Sequence, residues 1–542
     1  MKHSINFILP QPNIAHIEWV LVPPHIFICA SVHQYTSTFI AFFRSGLLMT
    51  TLIQDAIKTM GAPEKLADQA GASGDTKTPT SIALSASIKD WWNSSTQLMS
   101  ADSGAKQGAK YLEAKLRNRK IEYDLYRSIL SEEVHVMEPV SDSTTIVEMS
   151  TFPLACQMID VEIAPDLYIH EVYLENNVEP GAKRYDIVII HGYMAALGYF
   201  VKNVEDILKA QPGVRLHVID LPGFGNSSRP PFPRELLASL STLEEQISQI
   251  LQVENWFIDK IEAWRLKRNI SAFKLIGHSM GAYLSSCYLM KYNDQEDGSK
   301  LVSEFIVASP MGTESSYVSL INDKKYQYNH HQKGGDPLKE LVTSQRDNLV
   351  EVQANEELEK LWEYLGRPRI PGSIVLRKLW EWNKSPFQLL QTFGPFYSKL
   401  LSFWSFQRFR NLKSNDGGEQ GVNVDLILTL HRYSYSIFNQ YQGSGELAIT
   451  KLVNHEVLAR LPLCDRGLVE HLVESKVKTL WLYGDKDWMN SKGGRYICEK
   501  FEKMDKGLAF HHVVKEAGHH IYLDNPPEFN RTCINFFFNS TD

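Results

Sequence analysis

The chain has 542 residues, a length that allows two or three domains and an ample buried core. Its net charge of −7 gives no overall attraction to nucleic acid or to an anionic membrane, so any such attraction has to come from local patches. Six cysteines (Cys29, Cys156, Cys287, Cys464, Cys498 and Cys533) are scattered without a C-x-x-C pair. That pattern argues against a disulfide scaffold or a zinc module and fits a reducing compartment.

Residues 1–54 are apolar and poor in acids, with Lys2 and Arg44 as bases and Glu18 as the acid. Trp19–Val32, broken by Pro23-Pro24, and Thr38–Ile53, interrupted by Arg44, both fall short of the roughly 18–20 clean apolar residues of a spanning helix. The stretch is acid-poor like an organelle transit peptide but lacks the Arg-rich amphipathic pattern, and a membrane-brushing tail fits it equally; Met49 is an alternative start. Residues 61–82 are rich in Gly, Ala, Ser, Thr, Asp and Lys and read as a linker closing an amino-terminal region 1–82. Residues 83–143 are expected to form a helical extension, with Trp91 and Trp92 followed by the charged, periodic stretch Ala105–Leu130.

Strand patterns begin at 144. Residues 144–149 and 167–174 have strand character, and the alternation in Leu167–Leu174 predicts a sheet edge. Short apolar runs follow at Tyr185–Ile190, Val214–Asp220, Phe273–Ile276, Phe305–Ala308, Val477–Tyr483 and Leu508–Val514. Helical patterns lie between them at Tyr199–Ala210, Leu236–Lys267 and Ala282–Tyr292. Wholly apolar strands alternating with helices predict an α/β fold with a mostly parallel central sheet flanked by helices. Residues 311–470 hold no clean strand run and are too many for a loop, so they are expected to form a helical cap inserted between two parts of the core, 144–310 and 471–542. Within the cap, Gly366–Arg410 carries eight Lys/Arg against the single acid Glu381, interleaved with aromatics from Trp380 to Phe409. That mixture suits the interface of an anionic membrane, or a cap whose aromatics form its own core with the arginines outside; the faces decide.

The chemistry centres on Gly277-His278-Ser279-Met280-Gly281, a G-x-S-x-G pentapeptide between an apolar strand and a helix. In that context the pattern predicts a nucleophile elbow, in which small residues on either side let strand and helix pass closely and the Ser hydroxyl stands clear of the sheet. A serine needs a base, and the base needs an orienting acid, in the order Ser, acid, His on such a fold. Tyr483-Gly-Asp-Lys-Asp-Trp-Met489 follows a late strand and offers Asp485 and Asp487. Asp487, three residues after the Gly, is favoured, which leaves Asp485 a structural part. Ala517-Gly-His-His520 follows the last strand; His519 is the expected base, with His520 the runner-up in a packing or supporting role. The oxyanion requires two main-chain N–H donors, expected from Met280 and from Tyr193, in the loop after His191-Gly192. No Walker A loop, HExxH motif or Cys/His cluster is evident, and His511-His512 lies within a strand at no useful ligand spacing, so neither a metal nor another cofactor is expected. Leu221-Pro-Gly-Phe-Gly225 reads as a turn of the core rather than a phosphate loop.

His191-Gly192, Asp220–Ser227, Gly277–Gly281 and Gly518-His519 together resemble the α/β-hydrolase superfamily over roughly 170–310 and 470–542. His519-x-x-x-x-Asp524 is similar to the H-x-x-x-x-D motif of a lipase/acyltransferase subfamily that includes the lipid-droplet lipase coactivator, the N-acylphosphatidylethanolamine lipase and the mitochondrial cardiolipin-specific deacylase. His191–Gly198 and Gly443-Ser-Gly-Glu446 resemble loops of the same subfamily, and Tyr483–Met489 most resembles the deacylase branch. The resemblance implies a serine hydrolase of phospholipid acyl esters, cardiolipin first, touching the membrane surface peripherally. It implies the inner mitochondrial membrane as location, with cytoplasm or lipid droplet as alternatives. It also implies a second reading, acyl transfer from acyl-CoA to lysophosphatidic acid, in which His519 and Asp524 take part. A non-catalytic lipid-binding protein is the third; the coactivator lacks the nucleophile, whereas Ser279 is present here. On position alone, Asp524 stands before Asn525-Pro526-Pro527, placed to cap the last helix.

Overall fold

The computed structural model describes residues 79–94, 109–139, 151–314, 316, 318–321, 380, 382–409, 412, 423–454 and 457–539. The amino-terminal tail, most of the linker, the expected strand at 144–149 and most of the basic run before Trp380 lie outside them.

The described strands are β1 (Val134–Val136), β2 (Leu154–Ala164), β3 (Leu167–Asn176), β4 (Tyr185–Ile190), β5 (Val214–Ile219), β6 (Phe273–His278), β7 (Val302–Ala308), β8 (Lys478–Gly484) and β9 (Ala509–Val514). They form one sheet in the order β1-β2-β3-β5-β4-β6-β7-β8-β9. β3 runs antiparallel to both neighbours, and the other pairs are parallel. The helices are α1 (Leu84–Ser94), α2 (Ala109–Ile129), α3 (Val204–Lys209), α4 (Leu243–Lys267), α5 (Met280–Tyr292), α6 (Pro386–Gln391), α7 (Tyr397–Phe409), α8 (Val424–Phe438), α9 (Ile449–Leu452), α10 (Leu468–Glu474), α11 (Ser491–Met504), α12 (Ile521–Asp524) and α13 (Pro526–Phe538).

The apolar strands carry two cores because side chains alternate across a strand. Val188 and Ile190 enter one core with α4, α5, α10 and α11. Ile187 and Ile189 enter the other with α3, α7, α8 and α13. Local signals set the helix ends. Thr242 begins α4 with a capping box, its hydroxyl accepting from the Glu245 N–H while the Glu245 carboxylate accepts from the Thr242 N–H. The helical pattern expected from Leu236 is therefore a short 3₁₀ turn, Arg234–Leu237, and a separate helix that starts at this cap.

One expectation changes and one open alternative is decided. Leu167–Leu174 is not at an edge: β3 lies between β2 and β5 and is buried along most of its length. Its buried polar residues, His170 and Glu171, are consecutive and so face opposite sides of the sheet, and ionic partners across the fold satisfy each of them, so a polar position here reports pairing chemistry rather than solvent. The aromatics of the cap go mostly inward. Phe387, Tyr397, Trp404, Phe406 and Phe409 are buried, whereas Trp382, Phe396 and Phe403 are exposed. Burying each large apolar side chain contributes roughly 1.5–3 kcal/mol, so α7 is held down by its own aromatics. Among the described residues no helix is long and apolar enough to cross a membrane.

The helical extension packs into the core through charge. His170, fully buried on β3, lies between two carboxylates: Nδ1 is 2.8 Å from Asp160 Oδ1 and Nε2 is 2.6 Å from Glu122 Oε2 on α2. Arg119 and Lys115 of α2 close the cluster on Asp160. Burial alone would depress the imidazole, but Glu122 and Asp160 outweigh it and push His170 up from 6.5 to about 9. A group raised in the fold contributes stability that is complete below its unfolded value and is lost as pH rises through the folded one. His170→Gln is therefore expected to lower stability by roughly 3–5 kcal/mol near neutral pH, because it leaves the buried Glu122 without its ionic partner. In thermal melts, the gap between variant and wild type is expected to narrow as pH is raised from 6.5 to 9.

Candidate active site

Ser279 stands between β6 and α5 with φ 53° and ψ −117°, a conformation that costs an L-residue about 1–3 kcal/mol. Its neighbours hold it there. The Ser279 N–H donates to the Ala308 carbonyl at 3.0 Å, and its carbonyl accepts from Met311 and Tyr283. Gly281 permits the turn, since a Cβ there would meet the His191 carbonyl oxygen at 2.3 Å; Gly277 is similarly close to Ala282 on α5. Gly192 lies against the nucleophile, where a Cβ would stand 2.8 Å from Ser279 Cβ. Ser279 itself is 6% exposed.

The expected acid and base, Asp487 and His519, arrive on the loops after β8 and β9. His519 Nδ1 lies 3.1 Å from Asp487 Oδ1, and the Asp487 side chain is 1% exposed. The same carboxylate oxygen accepts the Met489 N–H at 2.9 Å, which fixes its direction. With Nδ1–H donated to Asp487, the Nε2 of His519 is left as the proton acceptor. Asp485 is placed differently: its Oδ1 accepts the Ala517 N–H at 2.9 Å and so ties the two loops together at the backbone. The Trp488 ring lies 4.5 Å from that of His519.

His278 joins the strand that precedes Ser279 to the segment of His519. Its Nε2 is 2.9 Å from the His519 carbonyl, which can only accept, so Nε2 carries the hydrogen. Burial, reinforced by His519, holds His278 well below the usual imidazole range, and it is neutral. His520 is likewise held low, by burial and then by the charge of Arg408, whose Nε–H donates to His520 Nδ1 at 3.2 Å.

The loop after β4 faces the elbow. His191 donates Nδ1–H to the Gly192 carbonyl at 2.8 Å and accepts the Leu221 N–H at Nε2 at 3.0 Å. Burial lowers it to about 4, so this neutral tautomer persists at physiological pH. Asp220, pushed up to about 6 by burial and then by Glu122, accepts from the Leu197 and Asn226 N–H groups. The loops after β4 and β5 are thereby locked to one another. Tyr193 is in this locked loop, and Met280 opens α5, where the first N–H groups of a helix have no partner further back in it. Glu446 accepts from the Gly443 and Ser444 N–H groups, and that loop abuts Gly223, where a Cβ would meet the Gly445 nitrogen at 2.3 Å.

A mostly parallel sheet, a serine on a strained turn after β6, a carboxylate after β8 and a histidine after β9 form one arrangement. The family described as alpha/beta hydrolase fold matches residues 186–336. The chain has the alpha/beta-hydrolase fold. Among its relatives, a probable 1-acylglycerol-3-phosphate O-acyltransferase of Oryza sativa is 26% identical over 345 residues, covering 64% of this chain and 65% of that protein. The 1-acylglycerol-3-phosphate O-acyltransferase of Arabidopsis thaliana is 27% identical over 64% of this chain and 65% of its own length. The (lyso)-N-acylphosphatidylethanolamine lipase of Homo sapiens is 26% identical over 64% of this chain and 77% of its own. The chain thus spans about 65% of the length of the two plant relatives. A solved carboxylesterase, CesB of Bacillus subtilis, is 12% identical and covers 79% of this chain and 100% of its own, with a TM-score of 0.39.

One expected role is corrected. Asp524 does not cap the last helix: Asn525 is its N-cap, accepting the Glu528 N–H. Asp524 instead accepts the Gly518 N–H at 2.9 Å on Oδ2 and Arg408 Nη1 at 2.7 Å on Oδ1. Proline at the first helical positions leaves those donors absent, and the Asn side chain suffices for the next. Arg408 and His170 are participants that sequence reasoning missed; Arg408 lies 116 residues from Asp524, and no spacing pattern links the two. Among the described residues no group of three His, Cys, Asp or Glu could hold a metal ion.

The geometry separates the two aspartates experimentally. Asp487→Asn is expected to slow labelling of Ser279 by a fluorophosphonate probe by about 10³-fold or more, because the wrong His519 tautomer is favoured. Asp485→Asn is expected to act mainly on stability, costing roughly 1–3 kcal/mol in denaturant unfolding with labelling reduced far less.

Proposed function

We propose that the chain is a serine hydrolase of lipid acyl esters that works through an acyl-enzyme, with phospholipids as the substrate class. The observation that carries the reading is the 3.1 Å contact between His519 and Asp487 on loops joined by His278 to the strained turn of Ser279. His519 Nε2 takes the proton of Ser279 as its oxygen attacks the ester carbonyl, and the N–H groups of Met280 and Tyr193 receive the oxyanion. The tetrahedral intermediate collapses, His519 gives the proton to the departing alcohol oxygen, and the lysolipid leaves. Water, deprotonated by His519, then attacks the acyl-enzyme, and the fatty acid leaves as Ser279 is reprotonated. Asp487 orients the imidazole and supports its charge throughout.

The relatives' names, lipase and 1-acylglycerol-3-phosphate O-acyltransferase, support lipid acyl chemistry in general. Within that class we propose cardiolipin as the first headgroup and the inner mitochondrial membrane as the place, on the likeness of Tyr483–Met489 to the deacylase branch. The second reading shares the acyl-enzyme and replaces water by the hydroxyl of lysophosphatidic acid. Three of the relatives carry the acyltransferase name, which favours testing it alongside.

The test uses full-length protein and Ser279→Ala with liposomes of cardiolipin, phosphatidylcholine and phosphatidylethanolamine, with and without acyl-CoA and lysophosphatidic acid, read by mass spectrometry. Free fatty acid with the matching lysolipid, reduced by about 10⁴-fold or more in the variant, is the expected result. Phosphatidic acid formed only with acyl-CoA present would support the transferase; equal turnover by the variant would end both.

A further inference from the structure

The segment that carries His519 is pinned residue by residue. Asp485 holds the Ala517 N–H, Asp524 holds the Gly518 N–H, and His278 holds the His519 carbonyl. Asp487 then holds the His519 ring. Three of these anchors, Asp485, His278 and Asp487, make no hydrogen bond to the cap among the described residues. Asp524 is different, because its other oxygen is taken by Arg408 at 2.7 Å, in the last turn of the cap helix α7. The same guanidinium donates Nε–H to His520, so it grips the residues on both sides of the segment's exit. Arg408 is 8% exposed, Asp524 has a side-chain exposure of 9%, and the Arg408 Nη2 has no hydrogen-bond partner among the described residues. A partly satisfied buried guanidinium is costly to keep, and the fold keeps it where it joins the cap to the base.

We propose that Arg408 is a positioning residue that couples the cap to the reaction: through Asp524 and His520 it sets the backbone of Gly518-His519, so that His519 is correctly placed only while α7 is seated. On this account the Asp of H-x-x-x-x-D serves as the core half of a clamp and carries no proton in the reaction. The inference rests on His519 being the base. Arginine suits the task because its planar fork reaches two acceptors at fixed spacing, which a lysine ammonium does not reproduce.

The experiment uses the full chain with Arg408→Gln, Arg408→Lys, Asp524→Asn and the Arg408→Gln/Asp524→Asn double variant. Three quantities are read: kcat and KM on a soluble short-chain ester, the fluorophosphonate labelling rate of Ser279, and amide exchange of a peptide spanning Gly518. A misplaced base is expected to lower kcat and labelling by about tenfold or more with KM changed less than about twofold. The double variant is expected to match the worse single one, because both break one contact. Gly518 exchange should quicken in all variants, and added guanidinium should partly restore Arg408→Gln but not Asp524→Asn. Gly518 exchange unchanged in Arg408→Gln would overturn the clamp even if the protein turned over no ester at all, which separates its failure from that of the hydrolase reading. Normal labelling by Asp524→Asn with selective loss of transfer to lysophosphatidic acid would also overturn it and give Asp524 a chemical role. Should Arg408→Gln fail to fold, the milder Arg408→Lys carries the same three readouts.

Discussion

The structure turns on a single strained residue. Ser279 keeps φ 53° because the strand before it, the helix after it and the loop of His191-Gly192 converge too closely for any relaxed alternative. The strain is small beside the packing that enforces it, since β6 and α5 contribute side chains to the two cores on either face of the sheet. Two consequences follow for chemistry. The nucleophile is placed by backbone geometry rather than by a flexible rotamer, and the first N–H of α5 comes to the same side as the hydroxyl.

Around that point the site is made rigid by neutral histidines as much as by His519. His191 and His278 each have a tautomer dictated by partners, His191 through the Gly192 carbonyl and the Leu221 N–H, His278 through the His519 carbonyl. Burial suppresses their protonation, so neither adds a positive charge beside His519 at neutral pH. The buried cluster of Glu122, Asp160 and His170 does the opposite, keeping an imidazolium because two carboxylates surround it. The difference lies in the partners alone, as all three rings are buried. Through Asn226, which donates to Glu122 at 3.1 Å, this charged cluster reaches the loop after β5, which His191 and Asp220 in turn tie to the loop of Gly192 beside Ser279.

The cap is built on the same principle of shared residues. Tyr433 of α8 accepts the Gly198 N–H at 2.9 Å, and Arg408 of α7 grips the loop of His519. The inserted helices therefore touch the loop after β4 and the loop of His519 at once, and most of their described aromatics go to holding that position rather than to facing solvent.

Sequence alone determined the α/β architecture and the candidates Ser279, Asp487 and His519, because each depends on short-range signals: apolar runs of strand length, a turn that demands small residues, and loops that follow strands in a known order. It could not place β3, whose alternating pattern reads as an edge until the ionic partners of His170 and Glu171 are seen. It could not assign Asp524, whose position before Asn525-Pro526 is that of a cap but whose oxygens go to Gly518 and Arg408. Nor could it sort the cap's aromatics into buried and exposed. Those outcomes belong to tertiary structure for one reason: a buried charge or a large ring takes its role from what lies across the fold, often more than a hundred residues away, and no local pattern encodes that partner.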